Sequence, residues 1–366
     1  MATSPERIPE SFVSLIRSIH ERSDLQLVRT ADAEFVAAID DARARGFVPS
    51  ARAFHDTWRE VAGFHYGALE VPFAKRWNRL SPDVVVDLDA VVEMRRSGYR
   101  EELERLRAEV QRNDLSAVFT DEWFERISRV LAAWDGEGIL SSRHCVTFFR
   151  MISHRIEGKS LVEKIRQLTD QLMANSPKKN LVKQRIRSLA AEDAENTVGA
   201  LFEMTVLLPL FSSGSRLLEF QPLIPNSTSR AEALMEIGGQ AIYVEATTFT
   251  KYDKRILEPR AFDPVAEREH GAARVAAKVR EKAAQLDGAD RPVVLFVALA
   301  IDIEMGAAKD GISEVITSGA VDNLSAIVVA RDIEASTIYL YDIPSARYPL
   351  SSPARDLIQL SFADSS

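Results

Sequence analysis

Two glutamates in the segment SRAEALMEIGGQAIYVEATT, residues 229–248, stand at a spacing that suits the binding of a divalent cation. On both sides of Gly238-Gly239 the residue pattern repeats every two positions, which is typical of β-strands. The two glycines suit the positive φ angles of a two-residue hairpin turn. With that turn, the ladder of the two strands places Glu232 directly opposite Glu245. Like charges in opposed positions destabilise a strand pair, so the pattern indicates either a solvated strand face or a cation between the carboxylates. We favour the cation, and expect Mg²⁺ or Mn²⁺ with carboxylate and water ligands.

Glu203 is a further candidate, because it lies in the apolar segment LFEMTVLL. Small and apolar residues occupy its neighbouring helical positions, so we expect the carboxylate to be partly buried. A buried carboxylate needs a counter-charge or a metal ion. The sequence leaves two alternatives open for Glu203: an ion pair with an arginine, or a role in the same site as Glu232 and Glu245.

The basic residues are concentrated in one region, although the formal net charge of the 366-residue chain is −8. Between residues 150 and 187, ten Lys and Arg residues stand against three acidic ones. Such a local excess of positive charge can face the phosphate backbone of a nucleic acid while the remaining surface stays acidic. The residues assigned to nucleic-acid contacts are Lys178, Lys179, Lys183, Arg185 and Arg187, together with Lys282 from a later helix.

The composition disfavours several classes of protein. The single cysteine, Cys145, excludes an intrachain disulfide framework and a cysteine-rich zinc site, and it suits a reducing cytoplasm. The first residues lack the basic and apolar regions of a signal peptide. The longest apolar run is too short to span a bilayer. We therefore expect a cytoplasmic protein with no membrane partner.

The elements that must position these residues differ along the chain. Residues 1–189 show helical periodicity and predict a mostly α-helical region, with a role in nucleic-acid or partner recognition. Residues 190–345 predict an α/β domain with a mixed sheet flanked by helices. Its elements run helix, three strands, helix and buried strand, with a crossover from the third strand to the fourth. The Ser/Pro-rich residues 346–366 predict a loosely packed tail.

This order of elements and its acidic residues resemble the PD-(D/E)xK nucleases, the restriction-endonuclease-like superfamily. That family places one acidic residue at the start of a strand and Glu-x-Lys on the next, antiparallel strand. It commonly adds a glutamate on the preceding helix. Glu232, Glu245 and Glu203 fall at these three positions. The resemblance covers a little under half of the chain and implies Mg²⁺-dependent or Mn²⁺-dependent hydrolysis of phosphodiesters.

Two positions depart from the family pattern. The usual proline-aspartate is Ala231-Glu232 in this chain, and the lysine of Glu-x-Lys is Thr247, which cannot supply a cation. Members of the superfamily are known to relocate this lysine to the following helix, and the resemblance therefore points to Lys278. Arg230 and Lys251 are the other two candidates.

The sequence thus predicts a metal-dependent nuclease that acts on DNA, with RNA as a second candidate substrate, in restriction or another bacterial defence. Glu232 and Glu245 would bind the metal, Glu203 would assist, and Lys278 would stabilise the charge that develops on the phosphate. A homodimer or a partner protein from a defence system would fit this setting.

Two alternative functions stay open. Thr247 favours a catalytically inactive relative that binds nucleic acid or serves as an assembly module. Arg150 and His154 are similar to the Arg/His pair of helical ribonucleases of the HEPN type, although their spacing is one residue short.

Overall fold

A computed structural model describes residues 9–21, 32–47, 50–62, 67–81, 83, 85–136, 145–153, 155–156, 159–190, 194–249, 264–300, 303–331 and 337–362. The chain divides into two compact units, residues 1–154 and residues 155–366. The elements described in the first unit are all helices, and the sheet belongs to the second unit. None of the described helices is long and apolar enough to cross a membrane.

The first unit is helical, as predicted. Its described helices are α1 (Glu10–Glu21), α2 (Asp32–Ala44), α3 (Ala51–Ala62), α4 (Gly67–Leu80), α5 (Leu88–Arg112), α6 (Asp121–Ala133) and α7 (Val146–Ser153). Side-chain caps set the start of two of them: Asp87 accepts a hydrogen bond from Ala90 N–H before α5, and Thr120 accepts one from Trp123 N–H before α6.

Aromatic side chains form much of the core of this unit. Phe12 and Trp77 meet edge to face with ring centroids 5.1 Å apart, and Phe73 contacts both. Burial of such large rings is a major stabilising contribution to a helical core. The four tryptophans of the chain all belong to this unit, and each is at most 5% exposed: Trp58, Trp77, Trp123 and Trp134.

A carboxylate is buried within the same helical core. Glu70 on α4 is fully buried and accepts two hydrogen bonds at Oε2 from Arg95 on α5, one of them 2.7 Å long from Nε. His55 on α3 places Nδ1 2.9 Å from the other oxygen of Glu70. Because an unpaired buried charge is strongly unfavourable, these three residues tie α3, α4 and α5 together.

The second unit contains the remaining elements. They are β1 (Arg155–Ile156), β2 (Lys159–Ser160), α8 (Leu161–Asn175), α9 (Lys179–Arg187), a 3₁₀ turn (Ser188–Ala190), α10 (Ala194–Ser212), β3 (Arg216–Phe220), β4 (Ala233–Ile237), β5 (Gln240–Thr248), α11 (Pro264–Gln285), β6 (Val293–Ala298), α12 (Met305–Thr317), β7 (Ala326–Ala330), β8 (Ile338–Asp342) and α13 (Ser352–Ser361).

The division between the units lies earlier than the predicted boundary near residue 190, because α8 and α9 belong with the sheet. α8 packs against α9, α10 and β3. Its buried residues Val162, Ile165 and Leu168 recur at helical spacing and form its apolar face. An amphipathic helix is stable where that face is covered, and here α10 and β3 cover it. The basic helix α9 therefore lies in the same unit as the acidic residues.

The six strands β3 to β8 stand in the sheet in the order of the sequence. β3, β4 and β5 are antiparallel neighbours, β6 and β7 run parallel to β5, and β8 is an antiparallel edge. α11 makes the predicted crossover from β5 to β6, and α12 makes a second one to β7. β6 is fully buried along its length, as its continuous apolar sequence indicates.

The β4–β5 hairpin has the predicted two-residue turn. Gly238 and Gly239 adopt φ angles of 55° and 80°, and the strands pair directly from the residues that flank them. This register holds along the whole of β4. The paired residues end at Ala233 and Val244. Glu232, one position before β4, donates its N–H to the carbonyl of Val244 over 3.1 Å, so the predicted direct pairing with Glu245 lies outside the regular ladder.

Residues 352–361 form a packed helix, so the prediction of a loosely packed tail is wrong for this part of the chain. Ser351 caps α13 by accepting a hydrogen bond from Ala354 N–H, and a proline stands in the first turn. Ala354 and Ile358 are fully buried, and α13 packs on α10 and β4. Serine and proline are typical of helix starts as well as of loops, and the apolar face that follows them decides between the two.

Candidate active site

Three carboxylates and two cations meet beside the β4–β5 hairpin. Glu245 lies in β5 and Glu232 immediately before β4, and the negative charge of Glu232 acts on the Glu245 carboxyl. The apolar residues of α11 pack against the sheet, and α11 contributes Lys282 to the cluster. Glu203 projects from α10 and Arg185 from α9, and these two side chains contact each other.

Glu245 is only 3% exposed and has one cationic partner, Lys282, whose Nζ lies 2.7 Å from Oε1. The second oxygen, Oε2, is buried and makes no hydrogen bond within the described part of the chain. Burial, and then the negative charge of Glu232, raise the pKa of Glu245 to about 7, although Lys282 opposes the shift. A buried acceptor without a partner is unfavourable, so Glu245 is suited to bind a proton or a further cation.

Arg185 links the other two carboxylates. Its guanidinium donates from Nε to Oε2 of Glu203 over 2.5 Å, and its Nη2 contacts the other oxygen of Glu203. The same Nη2 lies 3.9 Å from Oε1 of Glu232. Burial raises the pKa of Glu232, while the positive charges of Arg185 and Lys282 favour its ionised form. Glu203 thus takes the ion pair with an arginine that the sequence left open as one alternative.

Glu232 and Glu245 are the two carboxylates that a divalent ion would have as protein ligands here, since the charge of one acts on the other. Mg²⁺ is commonly bound by one or two carboxylates and keeps several waters, and the unpartnered Oε2 of Glu245 is the atom that such an ion would satisfy. Over the described residues, no group of three or more Asp, Glu, His or Cys side chains is arranged to hold a metal ion. Glu203 is engaged by Arg185 and is not a third ligand in this arrangement.

Lys282, rather than the predicted Lys278, contacts Glu245. Lys278 lies one helical turn earlier on α11 and pairs with Glu281, 3.3 Å away. The sequence assigned Lys282 to nucleic-acid contacts and did not include it among the candidates for the cation. The i, i+4 spacing of the two lysines places both on one face of α11 and is the signal that could have found Lys282.

The remaining cation candidates do not reach the carboxylates or lie outside the described residues. Arg230 donates from Nη1 to the backbone carbonyl of Gln221 over 2.7 Å. Lys251 and His154 are not among the described residues, and the side chain of Arg150 is not described either. Thr247 is buried in β5.

The basic residues assigned to nucleic acid have different environments. Lys179, Lys183 and Arg187 are exposed and recur every fourth residue on α9, so they form one row, which we call the α9 basic row. Lys178 instead pairs with Glu219, 2.5 Å away. Arg185 points into the carboxylate cluster. The row and the cluster therefore share one helix.

The cluster is tightly enclosed. Glu203 and Glu245 are at most 5% exposed, and the cavity lined by Arg185 and Glu203 has a volume of about 10 Å³. That is the space of about one water molecule. The arrangement described is therefore a closed one in which side-chain cations neutralise the carboxylates.

Comparisons with protein-family models, with curated proteins and with solved structures give no significant match to this chain. The resemblance to PD-(D/E)xK nucleases accordingly rests on the residues and on the order of elements alone.

Proposed function

We propose that the second unit is a metal-dependent nuclease of the PD-(D/E)xK kind that hydrolyses phosphodiester bonds, with DNA as the principal substrate. The observation that carries this proposal is the pair of neighbouring carboxylates, buried Glu245 and half-buried Glu232, with the Lys282 ammonium 2.7 Å from Glu245. The pair lies within the succession helix, three strands, helix, strand formed by α10 through β6.

The residues have distinct roles in the proposed reaction. Glu232 and Glu245 would hold Mg²⁺ or Mn²⁺, which when bound acidifies water and offsets the charge that grows on the phosphate. Lys282 would take the place of the lysine that Thr247 replaces, since its ammonium contacts the same carboxylate from α11. A fixed cation beside the phosphate stabilises the transition state more than the ground state. Glu203 would assist once its carboxylate is freed from Arg185.

The α9 basic row would guide the nucleic acid to the site. Exposed lysines and arginines bind the phosphate backbone by releasing its counterions, and this row stands on the helix that carries Arg185. Restriction or another defence against foreign DNA is the setting that the resemblance implies. RNA as a substrate, a homodimer and a partner protein from a defence system belong to the same proposal.

A second candidate function is nucleic-acid binding without cleavage. The observation that favours it is the pairing of Glu203 with Arg185 and of Glu245 with Lys282, which neutralises two of the three carboxylates by side chains alone. An inactive relative that kept the fold for binding or assembly could retain such a cluster.

One experiment separates the two candidates. Purified full-length protein is incubated with supercoiled plasmid, single-stranded DNA and RNA, in Mg²⁺, Mn²⁺ or EDTA. Cleavage that requires the metal and that Glu245→Gln abolishes would support the nuclease. Retained binding with no cleavage in any metal, unchanged by Glu245→Gln, would support the binding module and contradict the nuclease. Arg216→Gln, which removes an exposed arginine from the neighbouring strand β3, serves as the matched control for preparation and folding.

A further inference from the structure

We infer that Arg185 is an internal counter-ion that occupies the carboxylate site and competes with the metal, so that the site loads metal fully only when Arg185 moves to a phosphate. This inference rests on the proposed function, because it assigns a regulatory role within the same site.

The position of Arg185 is the first observation. Its guanidinium contacts both oxygens of Glu203 and lies 3.9 Å from Glu232. A planar guanidinium fork matches carboxylate geometry better than a lysine does. A divalent ion held by Glu232 and Glu245, with Glu203 assisting, would compete with this guanidinium for Glu232 and Glu203. Arg185 and a metal are therefore alternative partners for the same carboxylates.

The charge balance of the cluster is the second observation. Glu203, Glu232 and Glu245 carry three negative charges when ionised, and Arg185 and Lys282 supply two positive ones. At distances near 4 Å, the interaction of two charges in a partly buried site is worth several-fold more than in water. Loss of the Arg185 charge would leave Glu203 without its cation and Glu232 with the charge of Lys282 alone, and the affinity of the cluster for a divalent ion would rise.

The location of Arg185 on α9 provides the third observation. The Arg185 side chain is 25% exposed, so it contacts the solvent as well as the cluster. The α9 basic row lies on the same helix. At about 100° per residue, Arg185 lies on the opposite side of α9 from the row. The partner that could draw the guanidinium away from Glu203 is therefore a phosphate that reaches its exposed part directly, where it would offer the bidentate contacts that arginine favours.

The test is the equilibrium binding of Mn²⁺ to the full-length chain without nucleic acid, followed by electron paramagnetic resonance of the free ion. We expect Arg185→Gln to bind Mn²⁺ at least about tenfold more tightly than the wild type, because the competing charge is gone. Arg216→Gln is the control. It removes an arginine of β3 that donates two hydrogen bonds to Glu236 of β4 and is exposed to solvent. We expect the control to keep the wild-type affinity.

The outcomes separate this inference from the proposed function. Tighter Mn²⁺ binding by Arg185→Gln supports the inference whether or not cleavage is observed. Equal affinity in the wild type and Arg185→Gln overturns the inference and leaves the nuclease proposal intact. Failure of both proteins to bind Mn²⁺ at millimolar concentration overturns both.

A second variant covers the case in which Arg185→Gln does not fold, as judged by circular dichroism. Arg185→Lys keeps the charge, but a single ammonium cannot bridge Glu203 and Glu232 as a guanidinium does. We expect its Mn²⁺ affinity to rise by about threefold. As a free energy, that is about half of the effect expected for Arg185→Gln, which removes the charge. An affinity equal to that of the wild type would overturn the inference.

Discussion

The Lys282 ammonium lies 2.7 Å from the Glu245 carboxylate, although the two residues are 37 positions apart in the chain. β5 carries Glu245 and the crossover helix α11 carries Lys282, so the contact depends on the parallel pairing of β5 with β6. Thr247 cannot supply a cation, and this contact supplies one from the neighbouring helix.

Replacement of Lys282 tests that assignment directly. We expect Lys282→Met to lower the rate of metal-dependent cleavage by at least about 10²-fold, the usual effect of losing one transition-state donor. Lys278→Met, one turn earlier on the same helix, should retain most of the activity because its side chain pairs with Glu281. Initial cleavage rates of plasmid DNA measure both effects. Loss of activity in Lys278→Met alone would restore the assignment made from the sequence.

The α9 basic row should determine the salt dependence of nucleic-acid binding. Replacement of Lys179, Lys183 and Arg187 by Gln removes three phosphate contacts, so the slope of log affinity against log salt should fall by about 3. Fluorescence anisotropy with a labelled duplex in EDTA measures the slope without cleavage. Lys309→Gln, an exposed lysine on α12, is the control and should leave the slope unchanged. An unchanged slope in the triple variant would remove the row from the binding surface.

Glu245 should make the metal-free protein less stable as the pH rises towards neutrality. Its pKa is raised from the ordinary 4.5 to about 7 in the folded state, so between these values the folded chain holds a proton that the unfolded chain releases. The free energy of unfolding therefore falls through this window, by at most about 3 kcal/mol. Urea unfolding in EDTA from pH 4.5 to 7.5, followed by far-ultraviolet circular dichroism, measures the trend.

The control for this pH dependence is Glu245→Gln, which cannot ionise and should show a flatter profile over the same window. Addition of Mn²⁺ should reduce the fall in stability in the wild type only, because a bound cation favours the ionised carboxylate. A wild-type profile that matches Glu245→Gln would contradict a raised pKa.

The two turn glycines should differ in their tolerance of alanine. Both have positive φ angles, and an alanine there is strained by roughly 1 kcal/mol. A Cβ on Gly239 would meet no atom within 4 Å, whereas a Cβ on Gly238 would lie 2.5 Å from the backbone nitrogen of Ala354 in α13. We expect Gly238→Ala to lower the free energy of unfolding by about 2 kcal/mol more than Gly239→Ala. Equal effects on urea midpoints would show that α13 does not press on the turn.

The buried triad of the first unit should be sensitive to the loss of one member. Arg95→Met leaves the Glu70 carboxylate buried without its cation, which should destabilise the helical unit by about 3–5 kcal/mol. The double variant Arg95→Met with Glu70→Leu removes both charges and should recover much of that loss. Guanidinium chloride midpoints measure the two variants. If Arg95→Met were as stable as the wild type, the triad would contribute little to the stability of the first unit.

The hairpin could be predicted from the sequence because its determinants are local. Gly238 and Gly239 suit the turn, and a two-residue loop leaves one register for the strands. That register brings Glu232 and Glu245 to the same end of the strand pair without any knowledge of the rest of the fold. The buried strand β6 was predictable for a similar reason, since its apolar residues follow one another without interruption.

The identity of the cation could not be predicted, because it depends on long-range packing. Lys278 and Lys282 lie on the same face of α11. Which of the two reaches Glu245 depends on the position of the helix along the sheet, and in the structure it is Lys282. Arg185 was assigned to nucleic-acid contacts, but the direction of its side chain depends on the position of Glu203 on α10, 18 residues away in the chain. The tail was misjudged since Ser351 and Pro353 suit a loop and a helix start equally well.

The distribution of the tryptophans gives the chain two separate spectroscopic reporters. All four indoles are buried in the helical first unit, and residues 155–366 contain none. Intrinsic tryptophan fluorescence therefore follows the unfolding of the first unit alone, while circular dichroism follows both units. Superimposed transitions would indicate that the units unfold together, and displaced ones would resolve two stabilities in a single unlabelled sample.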